Sequence, residues 1–186
     1  FVCKNSANKK RHPCQMVVGI LLSLFASMSS AVQAFRERTF VIVKPDGVQR
    51  GLIGRVVSRF EKNGFKLVAM KFLQATEETL KKHYEELAQR PFFPALIQYM
   101  QMGPIVIMVW EGKDIVKRAR DIIGATDPLK SSPGTIRGDY GIATGRNVVH
   151  GSDSLDSSKR EINLWFSSAE VIPWQQELDD WLNKEN

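Results

Sequence analysis

Four short runs of β-branched and apolar residues, separated by stretches of helical periodicity, do most to limit what this chain can fold into. They are Arg38–Lys44, Phe65–Gln74, Gly103–Trp110 and Asn147–His150. The third, Gly103-Pro-Ile-Val-Ile-Met-Val-Trp110, is apolar throughout, the pattern of a strand covered on both faces. Between the runs, Gly51–Lys62 puts Leu52, Ile53, Val56, Val57 and Phe60 on one helical face and stops at Asn63-Gly64. Thr76 can N-cap a helix to about Gln89, with Leu80, Tyr84 and Leu87 on its buried stripe and Pro91 as its break. Phe92–Gln101 predicts a further short helix. Lys113–Ile123 predicts another, with Ile115, Val116, Ala119, Ile122 and Ile123 inward.

The order β-α-β-αα-β-α-β-α predicts an α+β fold. It suits a ferredoxin-like split βαβ sandwich, a four-stranded antiparallel sheet covered by helices. Pro45-Asp46-Gly47 reads as a turn. Residues 125–146 show no periodicity and read as a long loop, a feature that is usually functional or disordered. The tail after Ser167, with Pro173, Trp174 and Trp181, is expected to pack on the outside.

The first 35 residues are set apart from this domain, which is taken as 36–186. Four of the six net positive charges sit at Lys4, Lys9, Lys10 and Arg11, leaving +2 on the rest. That balance gives no general nucleic-acid footprint, so an anion site must be built locally. Both cysteines, Cys3 and Cys14, lie in the same head, which leaves the domain without a disulfide framework. An apolar run of 11 residues, Met16–Ala26, follows, and then a tail of small residues to Ala34. A basic flank, short apolar run and Val32-Gln33-Ala34 match a cleavable secretory signal. The run is short of the ~20 apolar residues that span a bilayer. Met16 is a candidate start residue.

Asn147-Val-Val-His-Gly-Ser-Asp-Ser154 reads as a buried strand that delivers His150 to a strand-to-helix turn. Ser152 and Asp153 are N-cap types, and the helix N-terminus beyond them suits a phosphate. Free imidazole is largely neutral near pH 7 and can attack phosphorus. A core histidine with satisfied nitrogens is the bland alternative. His12, His83 and His150 have no ligand-like spacing, so no structural zinc site is expected. The chain has no G-x-x-x-x-G-K-[ST] loop and no protein-kinase signature set. Candidate anion groups are scattered instead: Lys44, Arg120, Thr126, Arg137 and Asn147. Arg137 lies in Pro133-Gly-Thr-Ile-Arg-Gly-Asp139, whose glycines would let backbone approach a ligand. Antiparallel pairing would bring Lys44 and His150 together at the sheet edge.

Lys44-Pro-Asp-Gly-Val-Gln-Arg50, Arg90-Pro-Phe-Phe93, Gly134-Thr-Ile-Arg-Gly-Asp139 and Asn147–Ser154 together resemble the nucleoside diphosphate kinase family. The resemblance runs from about Glu37 to Phe166. It implies transfer of the terminal phosphate of a nucleoside triphosphate such as ATP to a nucleoside diphosphate such as GDP, by a ping-pong route through phosphohistidine. By resemblance, His150 is the nucleophile through Nδ1, Glu161 orients its ring, and Ser152 bonds toward a phosphate oxygen. Lys44, Arg120, Thr126, Arg137 and Asn147 hold phosphates and ribose, and Tyr84 sits near the transferred group. Phe92 stacks on the base, with Leu96 and Thr144 lining the same cleft. Thr144 stands where the family often has valine. The resemblance also implies Mg²⁺ carried by the nucleotide phosphates, with no metal ligand from the protein, and a homohexamer with the loop around Pro128 at subunit contacts. No nucleic-acid partner is implied. Intact phosphate groups argue against a scaffold that merely kept the fold. One subgroup of the family carries a similar apolar segment that anchors it to an intracellular membrane, facing the cytoplasm. Residues 16–34 are therefore expected to attach the kinase there, with secretion by a cleaved signal as the alternative.

Overall fold

The computed structural model describes residues 37–177. Residues 1–35, with the anchor or signal expected there, and Trp181 lie outside the described residues. Strands β1 (Glu37–Val43), β2 (Lys66–Leu73), β3 (Ile105–Gly112) and β4 (Val149–Gly151) form one antiparallel sheet in the order β2-β3-β1-β4. That is the split βαβ arrangement expected from the element order.

Alternation along the central strands feeds two cores. Phe40 and Ile42 of β1 join Ile105, Ile107 and Val109 of β3 on one face. Val41 and Val43 join Val106, Met108 and Trp110 on the other. Helices α3 (Glu77–His83), α4 (Phe93–Gln101) and α7 (Leu155–Trp165) contribute to the first core through Leu80, Ile97, Met100 and Trp165. Helices α2 (Ile53–Glu61), α5 (Ile115–Ile123) and α6 (Ile136–Tyr140) contribute to the second through Val56, Phe60, Ala119, Ile123 and Ile136. Covering both faces explains why β3 is a continuous apolar run rather than an alternating one. Phe60 stacks on Trp110 with ring centroids 5.1 Å apart.

Four local expectations are corrected. Pro45-Asp46-Gly47 is no free turn but opens the short helix α1 (Pro45–Gln49), because proline suits the first helical position. The helix expected from Thr76 to Gln89 does begin with the Thr76 hydroxyl accepting the Thr79 N–H at 3.2 Å. It ends at His83, and a 3₁₀ turn follows at Glu85–Leu87, because Tyr84 leaves helical backbone with its side chain buried. Residues 125–146 are not structureless: they hold a 3₁₀ turn at Pro128–Lys130 and α6. Strand four starts at Val149, with Asn147 and Val148 in a turn before it.

The α7 N-cap is Ser154, beyond the expected Ser152 and Asp153. The Ser154 hydroxyl accepts the Ser157 N–H at 3.1 Å, and the Ser157 hydroxyl accepts the Ser154 N–H at 3.0 Å. The tail packs on the outside of β2: the Ile172 N–H and the Trp174 indole N–H each donate at 2.9 Å, to the Val68 and Leu67 carbonyls. Among the described residues no helix is long and apolar enough to cross a membrane. Replacing Ser154 with Ala removes one half of the cap, and urea unfolding should register a loss of about 1 kcal/mol. An unchanged midpoint would show that Ser157 caps the helix alone.

Candidate active site

β1 and β4 pair so that Ile42 faces His150 and Val43 faces Val149. Lys44 therefore emerges from β1 beside the segment that leads into the histidine. The glycine after His150 has a packing reason: a Cβ on Gly151 would lie 2.5 Å from Ile123 Cδ1, so only glycine lets α5 approach β4.

His150 is fixed from one side. Its Nε2 is 3.0 Å from Glu161 Oε1, and the carboxylate, buried on α7, is the acceptor. The bond puts the ring proton on Nε2 and leaves Nδ1 with a free lone pair. Glu161 is itself held by the Ser152 hydroxyl, which donates to Oε2 at 2.6 Å and accepts the Phe40 N–H at 3.3 Å. Ser152 is 1% exposed and is not on the cleft wall, so the expectation that it bonds a phosphate oxygen is corrected. Its hydroxyl is spent on Glu161.

His83 packs its ring against His150, with centroids 4.7 Å apart. Sequence spacing separated these histidines, yet His83, His150 and Glu161 offer ligand atoms within 4.8 Å of one another. Part of this set is engaged: the Trp165 indole N–H donates to His83 Nδ1 at 3.2 Å and Glu161 serves Ser152 and His150, while the buried His83 Nε2 has no hydrogen-bond partner among the described residues. Burial, with the neighbouring positive charges, holds His83 well below the ordinary histidine range, so the ring stays neutral.

A cleft of about 680 Å³ opens in front of His150. Lys44, Tyr84, Arg120, Thr126, Arg137 and Asn147 line it together with His150, and Phe92, Leu96 and Thr144 line it too. Residues scattered through the sequence thus converge. Lys44 Nζ donates to Asn147 Oδ1 at 2.7 Å, and Asn147 Nδ2 donates to the Thr126 carbonyl at 2.9 Å. Arg137 sits on α6, not on a loose glycine loop, and donates to the Val149 and Gly124 carbonyls at 2.7 and 3.2 Å. The buried Tyr84 hydroxyl has no hydrogen-bond partner among the described residues. Phe92 is half exposed.

Arg146 and Asp46 were not singled out. Arg146 lines the cleft with its guanidinium 4.0 Å from the Tyr99 ring centroid. Its only signal was charge next to Asn147. At the helix N-terminus expected to bind phosphate, the Ser154 and Ser157 N–H groups are occupied by the cap. The cleft has a charged inner end beside a nucleophilic imidazole and an apolar outer end with an exposed aromatic ring. Such a site defines a phosphotransferase for substrates that combine a polyphosphate with a flat ring.

The comparisons with known proteins agree. The family model for nucleoside diphosphate kinase matches residues 37–171. Nucleoside diphosphate kinase B of Bos taurus is 58% identical over 149 residues, covering 80% of this chain and 98% of that protein. Nucleoside diphosphate kinase 3 of Mus musculus is 52% identical over 167 residues, covering 89% of this chain and 99% of that protein. The structure of a halophilic nucleoside diphosphate kinase from Halobacterium salinarum, in complex with CDP, superposes with a TM-score of 0.78 at 47% identity. It covers 80% of this chain and 99% of that one. The chain belongs to the nucleoside diphosphate kinase family, and its activity is phosphate transfer between nucleotides.

Burial, with the Arg137 charge, pushes the Lys44 ammonium down to about 7, against the opposing pull of Asp46. Without ligand, Lys44 loses its proton as pH rises through that value. A phosphate beside it favours the ammonium and raises the value. Nucleotide binding roughly one pH unit above it should therefore take up a proton, and affinity should fall as pH rises further. Calorimetry in two buffers of different ionisation enthalpy reads the uptake, which Lys44→Gln should abolish. Equal heats in both buffers for the unaltered protein would refute it.

Proposed function

We propose that His150 Nδ1 attacks the γ-phosphorus of a nucleoside triphosphate bound in the cleft. The new N–P bond forms as the bond to the β–γ bridging oxygen breaks, and the diphosphate leaves. An acceptor diphosphate then enters the same cleft, its terminal oxygen attacks the phosphohistidine, and the imidazole is returned. The observation that carries this reading is the Glu161–His150 bond, which leaves one ring nitrogen free at the wall of a cation-lined cleft.

Lys44, Arg120 and Arg137 would neutralise charge that grows on the transferring oxygens. Tyr84, with its hydroxyl unpartnered, suits the transferred group. Asn147 and Thr126 would hold phosphate and ribose. Phe92 offers a face to any base, with Leu96 and Thr144 opposite, and stacking tolerates base identity. The carboxylates that line the cleft are engaged, Glu161 by His150 and Ser152, Asp153 by Ser157 and Glu86 by Arg160. That fits Mg²⁺ arriving on the nucleotide phosphates, where it supplies charge neutralisation. Met70 and Phe72 on the edge strand β2 and Leu129 near Pro128 are exposed apolar residues, in keeping with a homohexamer.

His150→Ala should abolish phosphoprotein formation from labelled ATP and Mg²⁺, and transfer to GDP, while nucleotide still binds through the cations and Phe92. Transfer within about tenfold of the unaltered protein would sink the mechanism.

We also propose that residues 16–34 hold the kinase on the cytoplasmic face of an intracellular membrane. Export would remove the active site from the main nucleotide pools, and the segment suits reversible burial, multiplied by several anchors in an oligomer. The chain expressed from Met16 with a C-terminal tag should pellet with membranes and keep its segment. Secreted protein beginning at Phe35 would refute the anchor, and wholly soluble, uncleaved protein would refute both anchor and signal.

A further inference from the structure

Asp46 and Gly47 belong to the Lys-Pro-Asp-Gly stretch but neither lines the cleft. What they touch is the turn that carries the nucleophile. Val148, two residues before His150, has φ of +68°. A β-branched residue is an outlier there. Across it the Val149 N–H donates to the Asn147 carbonyl at 2.7 Å, which closes the rare, strained γ-turn of positive φ. Such backbone persists only where its surroundings over-determine it.

The surroundings here come from the end of β1 and the start of α1. The Lys44 N–H donates to the Val148 carbonyl at 2.8 Å. The Val148 N–H donates to Asp46 Oδ2 at 3.1 Å. Gly47 lets the turn sit against α1, since a Cβ there would lie 3.0 Å from the Val148 carbonyl oxygen and 2.8 Å from Val43 Cγ1. The other Asp46 oxygen accepts the Tyr99 hydroxyl, and the Tyr99 ring lies under Arg146 at the cleft.

We infer that Asp46 is a positioning residue for phosphoryl transfer: its carboxylate clamps the strained Val148 turn and so sets where Asn147 and His150 stand in the cleft. The inference rests on His150 being the phosphorylated residue. A side chain that only supports folding would move stability alone. A clamp on a strained turn makes a second demand. Glycine adopts positive φ without strain, so a turn built on glycine no longer needs the clamp.

The test is single-turnover phosphohistidine formation from Mg²⁺ and ATP by rapid quench, with nucleotide affinity and thermal unfolding measured alongside. Asp46→Ala should slow phosphorylation about tenfold to a hundredfold, the size expected when a reacting group is misplaced, and lower nucleotide affinity by a smaller factor, through Asn147 and the charge of Lys44. Adding Val148→Gly to Asp46→Ala should restore about fivefold or more of that rate, although the same change removes apolar contacts and lowers the unfolding temperature. Where Asp46→Ala does not fold, Tyr99→Phe keeps the Val148 bond but frees one carboxylate oxygen, and it should show a smaller slowing that Val148→Gly also relieves. A rate within about twofold in the folded Asp46 variant, or no gain from Val148→Gly, would overturn the clamp alone. If the unaltered protein forms no phosphohistidine at His150, the nucleophile assignment falls and the clamp with it.

Discussion

Buried positive charge without a carboxylate partner is the constraint around which the site is arranged. Lys44 and Arg137 are 8% and 3% exposed, and among the described residues neither is in a salt bridge. Removing an ion from water costs several kcal/mol even after relaxation. The protein meets that demand with neutral acceptors. Arg137 is held by backbone carbonyls of Gly124 and Val149, and Lys44 by the amide of Asn147. Burial pulls the Arg137 guanidinium down to about 10, mildly for a group that remains charged. The Arg137 charge is thus fixed in direction without a bound carboxylate, and Lys44, held near 7, regains its full charge beside a phosphate, which is the state a polyphosphate can complete.

The same acceptors tie charge to nucleophile. Two of the carbonyls that accept from Arg137, those of Asn147 and Val149, flank the turn at Val148, and the strand beginning at Val149 carries His150. An arginine displaced from α6 would disturb the nucleophile's backbone as well as the phosphate. On the opposite side, Glu161 reaches His150 from α7, whose Ser158 hydroxyl donates to the Arg38 carbonyl at 2.7 Å. β1 is therefore the common reference: it pairs with β4, supplies Lys44 at its end and receives α7 along its length. Lys44 and His150 are thus positioned from one strand, while Arg120 and Arg137 come from α5 and α6.

That organisation was partly legible in the sequence. Strand positions, strand count and helix faces followed from periodicity, because two covered sheet faces leave a strong apolar signal in β1 and β3. The converging site residues were legible through motif resemblance, not through spacing, since His83 and His150 lie far apart in the chain yet pack ring to ring. Three features stayed hidden for physical reasons. α1 and α6 are five residues each, too short to display a helical period. Val148 reads as strand because its side chain is β-branched, while its positive φ is imposed by partners distant in sequence. Ser152 sits among residues that favour caps, and only the burial of Glu161 decides that its hydroxyl turns inward.

On the proposed reading, the division of the cleft makes one site strict about phosphate and indifferent to the base. At one end Lys44, Arg137 and Asn147 are buried, hydrogen-bonded and directional, so a misplaced phosphoryl group loses several interactions at once. At the outer end Phe92 is 54% exposed and offers only a face. Discrimination between bases needs buried polar groups that would be left unpaired by the wrong partner. An exposed ring cannot supply that penalty. Thr144 is exposed as well, so water reaches it and it supplies no such penalty. On that reading selectivity is concentrated at the end of the cleft where desolvation makes errors expensive.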